Sequence, residues 1–208
     1  VEGYLAHKWG LLDDLAESGF AVSQGLVLYY PFNETGGSIV EDYSETLRHG
    51  RVIDADLNTE GKFTSGIGFD TIDPQNAKID LDYNSLFFSQ PNWTVSTWFK
   101  YPIHNPVGDE YVLTWSSGSN FPAFLAGNEQ FILSGVSDSD FYATSLSGTE
   151  EQPQWHHFAL KSDQNSYSLF IDGNEKFKET TYNGGALDIR TIGNALQGGS
   201  RFSPSLDD

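Results

Sequence analysis

An all-β sandwich of two antiparallel sheets is the fold this sequence predicts, and three observations carry it. From Gly25 onward, short alternating or apolar runs are divided by Gly, Asn, Asp and Pro about every ten residues, the rhythm of a sandwich or jelly roll. Gln154-Trp155-His156-His157-Phe158-Ala159-Leu160, the polar turn Asp163-Gln164-Asn165, and Tyr167-Ser168-Leu169-Phe170-Ile171 before Asp172-Gly173 read as one β-hairpin and the start of the next. Aromatic residues are 14% of the 208, with 15 Phe and 10 Tyr, enough to fill a large core. That length fits one all-β domain with an appendage.

The appendage comes first. Residues 1–18 carry the one helical pattern: Val1, Tyr4 and Leu5 fall at i, i+3 and i+4, Gly10 is a stop, and Leu11, Leu12, Leu15 and Ala16 give a second short turn. A helical segment over 1–24 and a sandwich domain over 25–208 are therefore expected. Within the domain, strands are predicted at 26–32, 50–53, 62–69, 77–81, 94–101, 110–115, 121–125, 130–136, 141–145, 155–161, 167–171, 176–180 and 187–192. Each is a run of apolar, aromatic or β-branched residues bounded by turn formers. There is no low-complexity linker and no solenoid repeat.

Acidic residues outnumber basic ones 29 to 11, a net charge of −18. Such a field repels phosphate, so neither nucleic acid nor an anionic membrane is an expected partner. It suits cations, cationic partners or a saline medium, and simple solubility explains it as well. Cysteine is absent, which excludes a disulfide framework, thiolate metal sites and a Cys nucleophile. No apolar run is long enough to span a bilayer, so no membrane insertion is expected. Val1 is not an initiator Met, and the expectation is a processed or excised chain.

The Trp155–Gly173 hairpin resembles the Trp-His-His…Asp-Gly hairpin of the laminin-G-like, concanavalin A-like lectin/glucanase superfamily. Other segments resemble that family in order: Leu26 to Glu34 its opening strand, Asp42 to Gly50 an acidic loop, and Gly61-Lys62-Phe63 with Gly68-Phe69-Asp70 a following strand. Trp93 to Lys100, Ile189 to Gly193 and Phe202 to Asp208 continue the likeness, which spans about residues 25–208. The resemblance implies a concanavalin A-like jelly roll. It also implies a further strand after Asp207-Asp208 that the sequence does not supply, while residues 1–11 resemble the tail following such a strand. A slice of a multidomain protein, with an open sheet edge suited to assembly with neighbouring modules or copies of itself, is the expectation.

Catalysis is not expected. Glucanases of the superfamily carry E-x-D-x-x-E or E-x-D-x-E, which alternation aligns on one sheet face so that two carboxylates flank a glycosidic bond. Neither pattern occurs here; Glu41-Asp42 with Glu45 and Asp80-x-Asp82 have the wrong spacing or number. His156 and His157 point to opposite faces of a strand and cannot chelate one ion, so one packed and one outward histidine are predicted. Trp98 is predicted to be core. Asp54-x-Asp56-x-Asn58 fails the calcium-loop pattern at Thr59 and Ser65 and reads as a surface turn. Asn33-Glu34-Thr35 and Asn92-Trp93-Thr94 match the glycosylation acceptor formally.

The resemblance implies a structural Ca²⁺ between the early acidic loop and the closing acids, with Asn33, Glu34, Asp42, Asp207 and Asp208 as ligands. For a sugar, aromatic faces stack and polar side chains orient hydroxyls. Two loops supply such groups: Trp115, Asn120 and Phe121 in a Gly/Ser loop, Asp138, Asp140 and Tyr142 in a second, with a core role for Trp115, Phe121 and Phe141 at strand ends as the alternative. The reading is a non-catalytic carbohydrate-binding or adhesion module of an extracellular or cell-surface protein, its partner a glycan or another surface protein. The alternative is a structural or assembly module, such as an adhesin spacer or a protein of the virion surface.

Overall fold

A computed structural model of the protein describes residues 25–69, 77–81, 86–88, 92–101, 111–114, 124–127, 130–133, 141–143, 146, 152–163, 166–179, 187–189, 191–193 and 205–207. The helical segment expected over 1–24 lies outside them, apart from a turn at Gly25. The described elements are all strands: β1 (Ile39–Val40), β2 (Gly50–Ile53), β3 (Asp56–Glu60), β4 (Ser65–Gly68), β5 (Lys78–Asp80), β6 (Leu86–Phe88), β7 (Trp93–Tyr101), β8 (Tyr111–Thr114) and β9 (Phe124–Gly127). They continue as β10 (Gln130–Leu133), β11 (Phe141–Ala143), β12 (Gln154–Asp163), β13 (Ser166–Ile171), β14 (Asn174–Glu179), β15 (Leu187–Ile189), β16 (Thr191–Gly193) and β17 (Ser205–Asp207).

Two antiparallel sheets hold most of them. One has the order β1-β2-β5-β16-β8-β9-β10-β11, the other β14-β13-β12-β7-β17-β4-β3, and β6 and β15 form a separate pair. The chain passes back and forth between the layers, so sequence neighbours such as β2 and β3 belong to different sheets. That interleaving is the jelly-roll habit.

Alternation drives the layering. In β12, His156, Phe158, Leu160 and Ser162 are buried while Lys161 is exposed; in β7, Trp93, Thr97 and Phe99 are buried while Thr94 is exposed. Period two sends these sets to opposite faces. Val40, Val52, Ile79 and Ile192 from the first sheet meet Leu57, Ile67, Phe99, Phe158, Leu160 and Leu169 from the second in one core. Each such side chain contributes about 1.5–3 kcal/mol by leaving water. Gly50 is required where the layers close: a Cβ there would strike Ile79, Val40 and the Tyr30 hydroxyl.

The β13–β14 connection is the predicted Asp-Gly turn. Asp172 and Gly173 take φ of 50° and 75°, the left-handed pair that a two-residue hairpin demands, between Ile171 and Asn174.

Several expectations are corrected. Residues 26–32 join no ladder; Tyr29 instead donates its N–H to Asp42 and accepts one from Tyr43, while Tyr30 and Phe32 are buried. The segment around Asp56 is a strand, β3, rather than a surface turn. Its alternation is disguised by a bulge at Asn58 (φ 79°) that leaves Leu57 as the inward residue. The run predicted over 187–192 is two strands, one pairing with β6 and the other inserted between β5 and β8. Three short strands, β1, β6 and β17, had no predicted counterpart.

Candidate functional site

Three constellations lie at the chemistry-bearing positions. The first is the loop after β1. Asp42 is buried, and five donors converge on its carboxylate. Oδ1 accepts the N–H groups of Tyr29 and Ser44, each at 2.9 Å. Oδ2 accepts the Ser44 hydroxyl at 2.8 Å, the Thr46 hydroxyl at 3.1 Å and the Arg48 N–H at 2.7 Å. Short Asx and Ser turns of this kind arise because the side chain reaches backbone two residues on. Burial pushes the Asp42 carboxyl upward, but the N–H groups of Ser44, Tyr29 and Arg48 and the Ser44 hydroxyl prevail and hold it below the usual Asp value. The Thr46 hydroxyl is shared, because its one proton also reaches the Val27 carbonyl at 2.7 Å. Asp42 organises its loop.

The rest of the expected calcium set is placed differently. Asn33 Oδ1 accepts one hydrogen bond, from Thr64 Oγ1 at 2.8 Å. Glu34 Oε1 accepts the Glu41 N–H at 2.7 Å, and Glu34 Oε2 is buried with no hydrogen-bond partner. β17 pairs with β4 through Ser205–Gly68 and Leu206–Ile67, so its backbone runs on from there toward Ser65, whose hydroxyl donates to the Phe32 carbonyl at 2.8 Å. The backbone of Asp207 and the Asn33–Glu34 turn thus share one end of the sheet; Asp208 lies outside the described residues. Among the described residues no group of three or more His, Asp or Glu is gathered as a metal set.

The second constellation locks the Trp-His-His…Asp-Gly hairpin. His156 is buried, and its Nδ1 lies 2.7 Å from Asp172 Oδ2. Asp172 Oδ1 accepts the His157 N–H, and the Asp172 N–H donates to the His157 carbonyl, both at 2.9 Å. One aspartate at the tip of the turn therefore clamps two strands. The geometry accounts for the whole motif structurally: one histidine packs inward, as alternation predicts, and the other faces out.

The third is that outward face of the seven-stranded sheet. Register sets His157 opposite Trp98 and Trp155 opposite Lys100. The Trp98 ring lies 5.1 Å from the His157 ring and meets Phe63, from the β3–β4 turn, edge-on at 5.6 Å. Lys62 Nζ stands 5.1 Å from the Trp98 ring centre and Lys100 Nζ 5.9 Å from that of Trp155. Lys100 also pairs with Glu60 at 3.0 Å, the glutamate being 81% exposed. Trp98 and Trp155 are half-buried and Phe63 is exposed. The prediction that Trp98 is core is thus corrected: Trp98 is on the outward face, and its neighbour Phe99 is core. A sequence signal was present: Lys100 shares the phase of Trp98, as Lys161 shares that of Trp155 and His157, and a lysine marks the wet face.

Of the predicted ligand-binding residues, Tyr142 belongs to β11 at the edge of the eight-stranded sheet, opposite Phe131. Trp115, Asn120, Phe121, Asp138 and Asp140 lie outside the described residues.

Solved structures with this fold include Trypanosoma rangeli sialidase in complex with sialic acid, at 15% identity and a TM-score of 0.61 over 88% of this chain and 30% of that one. The ligand-binding domain of botulinum neurotoxin serotype D, in complex with N-acetylneuraminic acid, matches at 16% identity and a TM-score of 0.56 over 87% of this chain and 47% of that one. The binding domain of Paraclostridial Mosquitocidal Protein 1 matches at 15% and 0.50, over 83% and 45%. This chain spans less than half the length of each. No curated protein matches it by sequence. Among the described residues no helix is long and apolar enough to cross a membrane. The family model for the concanavalin A-like lectin/glucanases superfamily matches residues 73–208, and the chain belongs to that superfamily.

Proposed function

We propose that the domain is a non-catalytic carbohydrate-binding module of an extracellular or surface-displayed protein. The observation that carries this reading is the outward strip of Trp98, Trp155 and Phe63 on a lectin-type sandwich. Aromatic side chains otherwise gain by burial, and large ones held on a solvent-facing sheet mark a contact surface. Such rings stack on pyranose faces while neighbouring polar groups orient hydroxyls. Two structures sharing the fold were solved with sialic acid or N-acetylneuraminic acid, which is in keeping with this ligand class. Trp115, Asn120, Phe121, Asp138, Asp140 and Tyr142 are proposed as a second contact surface at the loops. The missing paired-carboxylate pattern supports binding without cleavage.

Structural calcium is proposed in a narrower form than the resemblance implies. Asn33 keeps one lone pair and Glu34 an unpartnered oxygen, whereas Asp42 already accepts several hydrogen bonds within its loop. Hard oxygens of this type suit Ca²⁺. Calcium is then expected to raise the melting temperature of the wild type and leave that of Glu34→Gln unchanged.

The function is tested on a polysaccharide and glycan panel, in Ca²⁺ and in EDTA, with reducing-sugar release assayed alongside. Specific binding that Trp98→Ala abolishes, with no sugar released, is the expected result. A folded protein that binds nothing would turn the reading to a structural or assembly module.

A further inference from the structure

We infer that the sugar taken by this face is an anionic pyranose, and that Lys100 receives its acidic group. The inference rests on glycan binding at the aromatic face, and it follows from what stands over the rings. Ammonium groups stand over the rings of Trp98 and Trp155, Lys62 at 5.1 Å and Lys100 at 5.9 Å. Both lie within cation–π range. A neutral sugar would have to push these cations off the rings to stack, whereas an anionic one can stack beside them and pair with them.

Charge distribution points the same way. The chain has 11 basic residues against 29 acidic ones, yet Lys62, Lys100, Lys161, Lys176 and Lys178 all belong to the seven-stranded sheet or its β3–β4 turn. At the aromatic strip Lys100 is paired with one acid. That acid, Glu60, reaches across to Lys100 from a position 81% exposed, as a carboxylate already seated where a ligand's would go. An exposed ion pair of this kind is weak, so an incoming carboxylate exchanges with Glu60 at little cost. The net charge of −18 opposes the approach of any anion at low salt. At physiological ionic strength the Debye length is about 8 Å, so a ligand on the strip feels Lys62 and Lys100 and little of the remote acids.

The test uses polygalacturonate, alginate and hyaluronate, each beside its carboxyl-reduced counterpart, titrated against the intact domain by calorimetry at 0.15 M salt. The expected result is an acidic polymer bound at least about tenfold tighter than its reduced form. Lys100→Gln should remove that preference. Glu60→Gln should strengthen acidic binding, and raising salt from very low values should first improve it. Equal binding of both forms, or a preference that survives Lys100→Gln, would overturn the inference while leaving glycan binding intact. Failure of every polymer, acidic and reduced, with folded protein would overturn it together with the function on which it rests.

Discussion

The Asp42 loop and the Trp98 face invert the usual arrangement of a globular protein. One puts a charge inside, and the other leaves indoles half in water. In the loop backbone N–H groups and hydroxyls converge on one carboxylate, and the Tyr30 hydroxyl donates to the Arg48 carbonyl at 2.6 Å. A buried charge survives only when hydrogen-bonded in this way. On the face, rings meet rings around Trp98 and lysines lie above them. The first arrangement is closed and self-sufficient, and its purpose is shape. The second is open at one side, as a surface for a partner must be.

Experiments can separate the two, beginning with the largest effect. Asp42→Ala leaves buried N–H and hydroxyl donors without an acceptor. Because each orphan costs about 1–3 kcal/mol, a loss of about 3 kcal/mol or more by urea unfolding is expected. A loss below about 1 kcal/mol would mean that water replaces the carboxylate and that the loop is not closed.

Acid should find the same residue. The Asp42 carboxyl is held below the ordinary value of about 3.9, so its contribution is fully present above that pH and is lost as pH falls through the native-state value. The stability gap between wild type and Asp42→Asn is therefore expected to be widest near neutrality and to shrink in strong acid.

Asp172→Ala removes two hydrogen bonds from the hairpin clamp and places alanine at φ 50°. About 1–3 kcal/mol of stability should go, with glycan binding retained by the folded fraction.

The smallest stability change falls at Trp98→Ala, about 1 kcal/mol at most, given partial exposure and ring contacts of modest strength. Binding, in contrast, should fall by at least about tenfold. A large stability loss with unchanged affinity would make this face ordinary packing and erase the contrast with the loop.

How much of this was legible in the sequence depends on where local rules ran unopposed. The Trp155–Gly173 hairpin could be read outright, because alternation, a polar turn and an Asp-Gly pair agree there. β3 could not, because its Asp and Asn residues imitate a turn and the bulge at Asn58 breaks the period. Trp98 was misplaced because the run Trp93 to Phe99 carries aromatics in both phases, and only Lys100 betrays which phase is wet. Asp42 could be read as an important acid but not as a hydrogen-bond hub. Its donors Tyr29 and Ser44 lie on both sides in sequence, and their convergence belongs to the folded chain.

One feature of the topology bears on how the chain reaches this state. β17, residues 205–207, pairs with β4 on one side and β7 on the other, strands formed more than a hundred residues earlier. On a ribosome the slot between them stays vacant until more than a hundred further residues have emerged, and both of its walls expose unpaired N–H and C=O groups throughout that wait. Such late, long-range closure makes folding slow and the nascent chain prone to capture by other strands. Protection of the amides of β4 and β7 should therefore appear last in pulse-labelled hydrogen exchange, after the hairpin of β12 and β13 has closed.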